Sequence, residues 1–181
     1  MAWENECNFS MGLALIDAKT TITVIDQKIE WKTANIEAHF YPKPPDDIND
    51  GGAYEFEIIL NSKPLSNIVN LTTNIPKNLT LHYQPALGKA DYDCIRPDNV
   101  VGSYAVYHSF KKDNQYKTGK AFHIYRPEAI DGKGNKTWCD LKIDINTQTA
   151  AITIPQEYLD KAIYPVIVDP TFGYTTGGAS A

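Results

Sequence analysis

Apolar and polar residues alternate with a period of two along most of this 181-residue chain. In the clearest run, Tyr54, Phe56, Ile58 and Leu60 fall on one face and Glu55 falls on the other. Successive side chains of a β-strand point to opposite faces, so the alternation predicts antiparallel strands with one buried face. The same pattern predicts strands elsewhere, with these residues directed inward: Ile22 and Val24; Ile29 and Trp31; Ile36, Ala38 and Phe40.

Short turn sequences separate these runs, among them Asp26-Gln27, Asp50-Gly51-Gly52 and Asn146-Thr147-Gln148. About ten strands at such spacing are typical of two packed antiparallel sheets. We therefore predict an all-β fold, an antiparallel two-sheet β-sandwich resembling a jelly roll, with a single domain over residues 1–172. One short helical turn is expected after Pro155, because proline is tolerated in the first turn of a helix.

The end of the chain contains an apolar strand between two prolines. Its sequence is Tyr164-Pro165-Val166-Ile167-Val168-Asp169-Pro170-Thr171-Phe172. Each proline lacks a backbone N–H and favours an extended residue before it, so the strand is expected to begin and end near the prolines. Residues 173–181 are small, polar and Gly-rich, which predicts a flexible linker toward a following domain.

This terminal segment resembles the Tyr-Pro-Val-x-x-Asp-Pro-Thr signature that closes a β-rich module in large bacterial cell-wall-associated proteins of the Rhs and YD-repeat type and in phage-like structural proteins. Residues 54–64 resemble an element near the middle of these modules. The resemblance covers roughly residues 29–172. It implies a non-catalytic domain in a long extracellular, cell-surface or virion protein, and it transfers no functional residues. Residues 100–125 form an aromatic hairpin that departs from the family pattern.

Charge and hydropathy exclude several classes of partner. The net charge is −5 and the pI is near 5.3, which disfavours nucleic acid and anionic membranes as partners. No apolar run reaches the length of a membrane span. The first residues lack the basic flank and apolar stretch of a signal peptide. The expected partners are other domains of a longer polypeptide or particle, with glycans as a further class.

Candidate catalytic residues are sparse. With one choice of hairpin register, His108 faces His123 across two strands, close enough for both rings to bind one metal ion. A shift of one residue separates them, and ordinary hydrogen-bonded histidines are the alternative interpretation. Ser103 lies in Gly102-Ser103-Tyr104-Ala105, which lacks the second glycine of a nucleophile elbow. Asp140 and Asp144 alternate along a strand, as on a solvent-exposed face. We predict no catalytic residue and no transition metal.

An acidic loop offers oxygen ligands of the kind that calcium prefers. Asp46, Asp47 and Asp50 lie in one loop, although their spacing does not match an EF-hand. The alternative is a solvated turn in which the Asp side chains accept backbone hydrogen bonds. Calcium is the one cofactor that the sequence suggests.

Aromatic residues are dense between positions 104 and 125. Tyr rings can stack on sugars and also offer a hydrogen-bonding hydroxyl, which nominates Tyr107, Tyr116 and Tyr125 as glycan-binding residues. The alternative is that these rings pack in the sandwich core.

The sequence thus favours a structural and positioning module. The first alternative is a carbohydrate-binding module that uses residues 100–125. The second is a hydrolase domain whose active residues are not recognisable. A deep pocket that joins His108 or His123 to a carboxylate would favour the hydrolase.

Overall fold

The computed structural model describes residues 2–3, 7–14, 20–88, 95–110 and 119–174. Within these ranges the backbone forms seventeen β-strands and one α-helix. The elements are β1 (Ala2–Trp3), β2 (Cys7–Asn8), β3 (Ser10–Leu13), β4 (Thr21–Ile25), β5 (Lys28–Lys32), β6 (Ile36–Lys43), β7 (Ala53–Leu60), β8 (Ile68–Asn74), β9 (Leu79–Gln84), β10 (Ser103–His108), β11 (Lys120–Ile124), β12 (Glu128–Ile130), β13 (Lys136–Trp138), β14 (Asp140–Asp144), β15 (Thr149–Thr153), α1 (Gln156–Lys161), β16 (Val166–Asp169) and β17 (Thr171–Gly173).

Eleven of these strands form one large antiparallel sheet in which β7 is the branching strand. One edge of β7 pairs along its whole length with β6, and the sheet continues through β5 to β4. The other edge of β7 pairs with β16 at one end and with β17 at the other. From β16 the sheet extends through β12 to β13, and from β17 it extends through β11 and β10 to β9.

A smaller antiparallel sheet has the strand order β14-β15-β8-β3, and β1 pairs with β2 in a separate ribbon. The two larger sheets share one hydrophobic core. Phe56, Val106 and Val168 contribute to it from the large sheet, and Leu71 and Ile152 contribute from the small one. Each such buried side chain stabilises the fold by roughly 1.5–3 kcal/mol. The predicted all-β antiparallel sandwich is confirmed.

The proline-bracketed segment lies inside the large sheet. Val166, Val168 and Phe172 are fully buried. Pro170 separates β16 from β17, because proline cannot donate a backbone hydrogen bond to the ladder. Its carbonyl oxygen still accepts from Phe56 N at 3.3 Å, so β7 remains bonded across the break.

The sheet continues two residues past the predicted end of the domain at residue 172. Gly173 belongs to β17 and pairs with Ala53. Tyr174 N donates to Gly52 O at 3.0 Å, and Gly51 N donates to Tyr174 O at 3.0 Å. The Tyr174 side chain is 2% exposed. These two residues therefore belong to the fold, whereas the rest of the predicted linker, residues 175–181, lies outside the described residues.

The helix predicted after Pro155 is present as α1. Leu159 is buried, and Tyr158 and Ala162 pack against the core. The Tyr158 hydroxyl donates to Asn135 O at 2.8 Å, which fastens the helix to the β12–β13 hairpin. Asp131 fastens the same turn, because its carboxylate accepts from Asn135 N and from Ile163 N. The Asn135 side-chain amide also donates to this carboxylate at 2.9 Å. This hydrogen bond and the backbone hydrogen bonds lower the pKa of Asp131 to about 2.

The predicted inward direction of Ile22 and Val24 is wrong. The strand forms as predicted, yet all five residues of β4 are exposed. Strand β4 is the outermost strand on its side of the large sheet, and no residue in the described ranges covers it enough to bury a side chain. Alternation therefore identified the strand but not the absence of a second layer over it.

Candidate functional site

Polar side chains are buried on the face of the large sheet that points away from the small sheet. Ser103 from β10 and His123 from β11 are almost fully buried, as is Glu55 from β7. Asn49, from the loop between β6 and β7, is 5% exposed. Together with Tyr125, these residues form what we call the outer polar cluster.

Small residues make room for this cluster. Gly173 pairs with His123, and Ala105 faces His123 from the other side. A Cβ atom on Gly173 would lie 1.8 Å from Asn49 Oδ1 and 2.5 Å from Tyr125 Cε2. The amide of Asn49 therefore occupies the space above a glycine, where it accepts from the Tyr125 hydroxyl at 3.1 Å.

The centre of the cluster is a contact between Ser103 and His123. Ser103 Oγ lies 2.7 Å from His123 Nε2 and 2.5 Å from the carbonyl oxygen of Val100. A carbonyl oxygen only accepts, so the hydroxyl donates its hydrogen to Val100. His123 Nε2 then carries the ring hydrogen and donates it to Ser103 Oγ. In this arrangement the imidazole is a donor to the serine rather than the base that would deprotonate it.

Burial keeps the His123 ring neutral. Burial and the nearby Lys120 ammonium lower the pKa of His123 to about 3. Burial also lowers the pKa of Lys120. The His123 ring lies beside the Tyr125 ring, with centroids 4.6 Å apart. Burial raises the pKa of Tyr125, and the Asp46 carboxylate raises it further.

The hairpin register that would place His108 opposite His123 does not occur. Ala105 faces His123, and the register shifts at a bulge between Val106 and Tyr107. The backbone N–H of His108 instead donates to Gly119 O at 2.8 Å. Ala105, three residues before His108, takes the place opposite His123, and the alternation of side chains did not fix this register.

The predicted calcium loop folds as a turn that closes on itself. Asp46 Oδ1 accepts from Ile48 N at 2.9 Å and from Asn49 N at 2.6 Å. These hydrogen bonds lower the pKa of Asp46. Asp47 and Asp50 are exposed. Over the parts of the chain described, no three His, Cys, Asp or Glu side chains gather as a metal-ligand set. Calcium binding by Asp46, Asp47 and Asp50 stays a prediction.

The three tyrosines nominated for glycan binding have different surroundings. Tyr107 is half-buried, and its ring meets the His82 ring edge-on at 5.4 Å. Tyr125 is half-buried against His123 and bonded to Asn49, so its hydroxyl is already engaged. Tyr116 lies outside the described residues. Glycan recognition therefore stays a prediction as well.

A second polar group lies on the same face of β5, β6 and β7. His39 Nε2 lies 3.7 Å from Glu37 Oε2, and His39 Nδ1 lies 3.5 Å from Glu57 Oε2. Lys32 bridges Glu37 and Glu30. Of these contacts, the one between Lys32 and Glu37 joins oppositely charged side chains across β5 and β6. Cross-strand pairs of opposite charge stabilise a sheet.

On the same face of β7, Lys43 Nζ lies 2.7 Å from Glu55 Oε2, and Thr171 Oγ1 donates to Glu55 Oε1 at 2.9 Å. The buried carboxylate is thus paired with one cation and one hydroxyl.

A separate apolar cleft of about 390 Å³ opens where the two sheets end, lined in part by Leu13, Ile36 and Leu60. Sequence reasoning did not identify this cleft.

Cys139 is a buried free thiol, and burial raises its pKa to about 12. Such a thiol is a poor nucleophile near neutral pH, because the thiolate is the reactive form.

No helix in the described ranges combines the length and the apolar character needed to cross a membrane.

Comparison with known proteins gives no family for this chain. No protein-family model matches it, and no curated protein sequence matches it significantly.

Proposed function

We propose that this chain is a structural and positioning module, without catalysis of its own, of a large bacterial surface protein or of a phage or virus particle. The observation that carries the proposal is the place of the segment at residues 166–173. It contains most of the signature through which the sequence resembles modules of such proteins, and it is hydrogen-bonded to strands on both sides. A module whose signature segment lies within its sheet can hold an attached chain firmly.

The engagement of reactive side chains also supports a non-catalytic role. The Ser103 hydroxyl donates to a backbone carbonyl, the Asp46 and Asp131 carboxylates accept backbone N–H groups, and Glu55 is paired with Lys43. Each of these groups serves the fold. A catalytic group needs a free face toward a substrate.

Deletion of the module in its source organism tests the proposal. Residues 20–174 are removed in frame, and the parent polypeptide is followed by immunoblotting of whole cells, surface fractions and purified particles. We expect the parent polypeptide to be synthesised but depleted from the surface or from particles. A matched strain with Ser103→Ala at the same locus should assemble normally, because the proposed role needs no nucleophile. Normal assembly after the deletion contradicts the proposal.

The contact between Ser103 and His123 supports a second candidate, a hydrolase. The two side chains are within hydrogen-bond distance, as in serine hydrolases. Burial of both side chains and the direction of the Ser103 hydrogen bond oppose this candidate. A fluorophosphonate probe distinguishes the two, since it labels activated serines. We expect no labelling of the native chain. Labelling that Ser103→Ala abolishes would establish the hydrolase.

A further inference from the structure

The outermost strand β4 exposes a row of apolar side chains at the edge of the large sheet. Ile22, Val24 and Ile25 are 53%, 68% and 58% exposed. One edge of β4 pairs with β5, and none of the strands in the described ranges pairs with the other. An edge of this kind offers backbone donors and acceptors to an incoming strand.

Strand β4 combines an uncharged composition with full exposure. Its sequence is Thr21-Ile22-Thr23-Val24-Ile25, in which every residue is β-branched and none is charged. Charged side chains lie in two other outer strands: Lys136 in β13, and Asp140, Lys142 and Asp144 in β14. The uncharged outer strands β3 and β9 each contain buried or half-buried residues, whereas all five residues of β4 are exposed. Proline, charge and bulges are the usual protection against strand addition, and β4 has no proline and no charge.

We propose that β4 pairs antiparallel with β4 of a second copy of this chain, about a twofold axis at Thr23. The inference goes beyond the proposed function, because it rests on this edge alone. Two copies of an uncharged strand can pair with each other, because no like charges then lie opposite one another. In this register Ile22 faces Val24 of the second copy, and Thr23 faces Thr23.

The backbone of β4 fits this register. A two-residue turn, Asp26-Gln27, joins β4 to β5, and Ile25 and Lys28 flank it. The flanking pair of such a hairpin is hydrogen-bonded, and bonded and non-bonded pairs then alternate. The N–H and C=O groups of Ile22 and Val24 therefore point away from β5. An axis at Thr23 brings these two residues opposite each other, so that four hydrogen bonds form.

The side chains fit as well. Ile22 and Val24 lie on the sheet face shared with their cross-strand partners, Trp31 and Ile29. Self-pairing places Ile22 beside Val24 of the second copy and extends this apolar face across the axis. Thr23 meets its own copy on the opposite face, where threonine pairs form hydrogen bonds.

The contact area between the two β4 strands sets the expected affinity of the dimer. A stable interface buries roughly 800 Å² per partner. One five-residue strand buries less, so we expect a weak dimer with a dissociation constant of roughly 0.1–1 mM. Such a contact becomes effective when many copies are held together on one particle or surface.

Charge reversal at the axis tests the proposal. Sedimentation equilibrium is measured for the wild type, for Thr23→Lys, for Thr23→Glu and for an equimolar mixture of the two variants. We expect the wild type to dimerise with increasing concentration and each single variant to associate at least tenfold more weakly, because like charges meet at the axis. The mixture should recover dimers, since lysine then faces glutamate. Recovery also shows that both variants are folded.

Thr80 provides the matched control, because it is an exposed threonine on β9, the opposite outer strand of the same sheet. Thr80→Lys and Thr80→Glu should leave dimerisation unchanged. A wild type that stays monomeric up to about 1 mM overturns the proposal. So does a Thr23→Lys variant that dimerises like the wild type, a mixture that fails to recover, or open-ended association in place of a dimer.

Discussion

Gly173 lies where no side chain fits. Asn49 and Tyr125 occupy the space above its Cα atom and hydrogen-bond to each other there. The loop that carries Asn49 is thereby held against β17, and its backbone also bonds to Tyr174. One hydrogen atom in place of a side chain thus allows the loop to cover the sheet.

Gly173→Ala should lower the free energy of unfolding by about 1–3 kcal/mol or more, because the new Cβ atom overlaps Asn49 and Tyr125. Urea unfolding measures the change. Gly12→Ala in β3 is the control, since its Cβ atom would meet only Thr72 Oγ1 at 3.6 Å. That variant should stay within about 0.5 kcal/mol of the wild type. Equal effects at the two glycines would contradict the packing described.

His123 should make the fold less stable in mild acid. Its pKa is lowered to about 3 in the folded chain from an ordinary value of 6.5. The unfolded chain therefore takes up a proton that the folded chain does not. Below pH 6.5 and down to about pH 3, the free energy of unfolding falls by about 1.4 kcal/mol per pH unit through this group. From pH 7 to pH 5 the loss is about 2 kcal/mol.

Urea unfolding at pH 7, 6 and 5 measures this slope. His123→Gln should reduce the slope, because glutamine does not titrate and its amide can still donate to Ser103. His82→Gln should retain it, since His82 is exposed. An unchanged slope in His123→Gln would show that His123 is not the group responsible.

Among the strands, β16 and β17 are set apart by their position. They are the last described strands of the chain, yet they lie inside the large sheet between β7 and the strands β12 and β11. At the outer limit of the same sheet, β4 also carries Ile and Val side chains, yet all five of its residues are exposed. Strands β16 and β17 have neighbours on both sides, whereas β4 pairs with β5 alone among the described strands.

Two truncated chains test where the module ends. One ends at Tyr174 and the other at Phe172, so both lack residues 175–181. The shorter chain loses the buried Tyr174 ring and its two backbone hydrogen bonds to Gly51 and Gly52. We expect it to be about 3–5 kcal/mol less stable in urea or thermal unfolding. Identical melting curves would place the end of the fold at Phe172.

The two sheets are joined by their shared core and by a hydrogen bond between β14 and β10. Ile143 N, on the outer edge of β14, donates to the Tyr104 hydroxyl of β10 at 3.2 Å. The bond ties the edge of the small sheet to the large sheet. It also gives a partner to a backbone group that no strand satisfies.

Tyr104→Phe should lower the free energy of unfolding by about 1 kcal/mol, because it removes this hydrogen bond and keeps the ring. Tyr83→Phe is the control. The Tyr83 ring contacts the Tyr104 ring at 5.4 Å, but its side chain is 53% exposed. Tyr83→Phe should therefore change the free energy of unfolding by less than about 0.5 kcal/mol. Equal melting temperatures for Tyr104→Phe and Tyr83→Phe would show that the link adds nothing measurable.

Local pattern was sufficient for long alternating strands such as β6 and β7, the helix after Pro155 and the proline-bracketed segment, because alternation and proline geometry depend on residues close together in the chain. It did not identify the short strands β3 and β12. Contacts between distant segments were not predictable in this way. The register that places Ala105 rather than His108 opposite His123, the exposure of β4 and the contact of Asn49 with Tyr125 arise when strands and loops meet. Asn49 and Tyr125 are 76 residues apart, so only the packed chain brings them together.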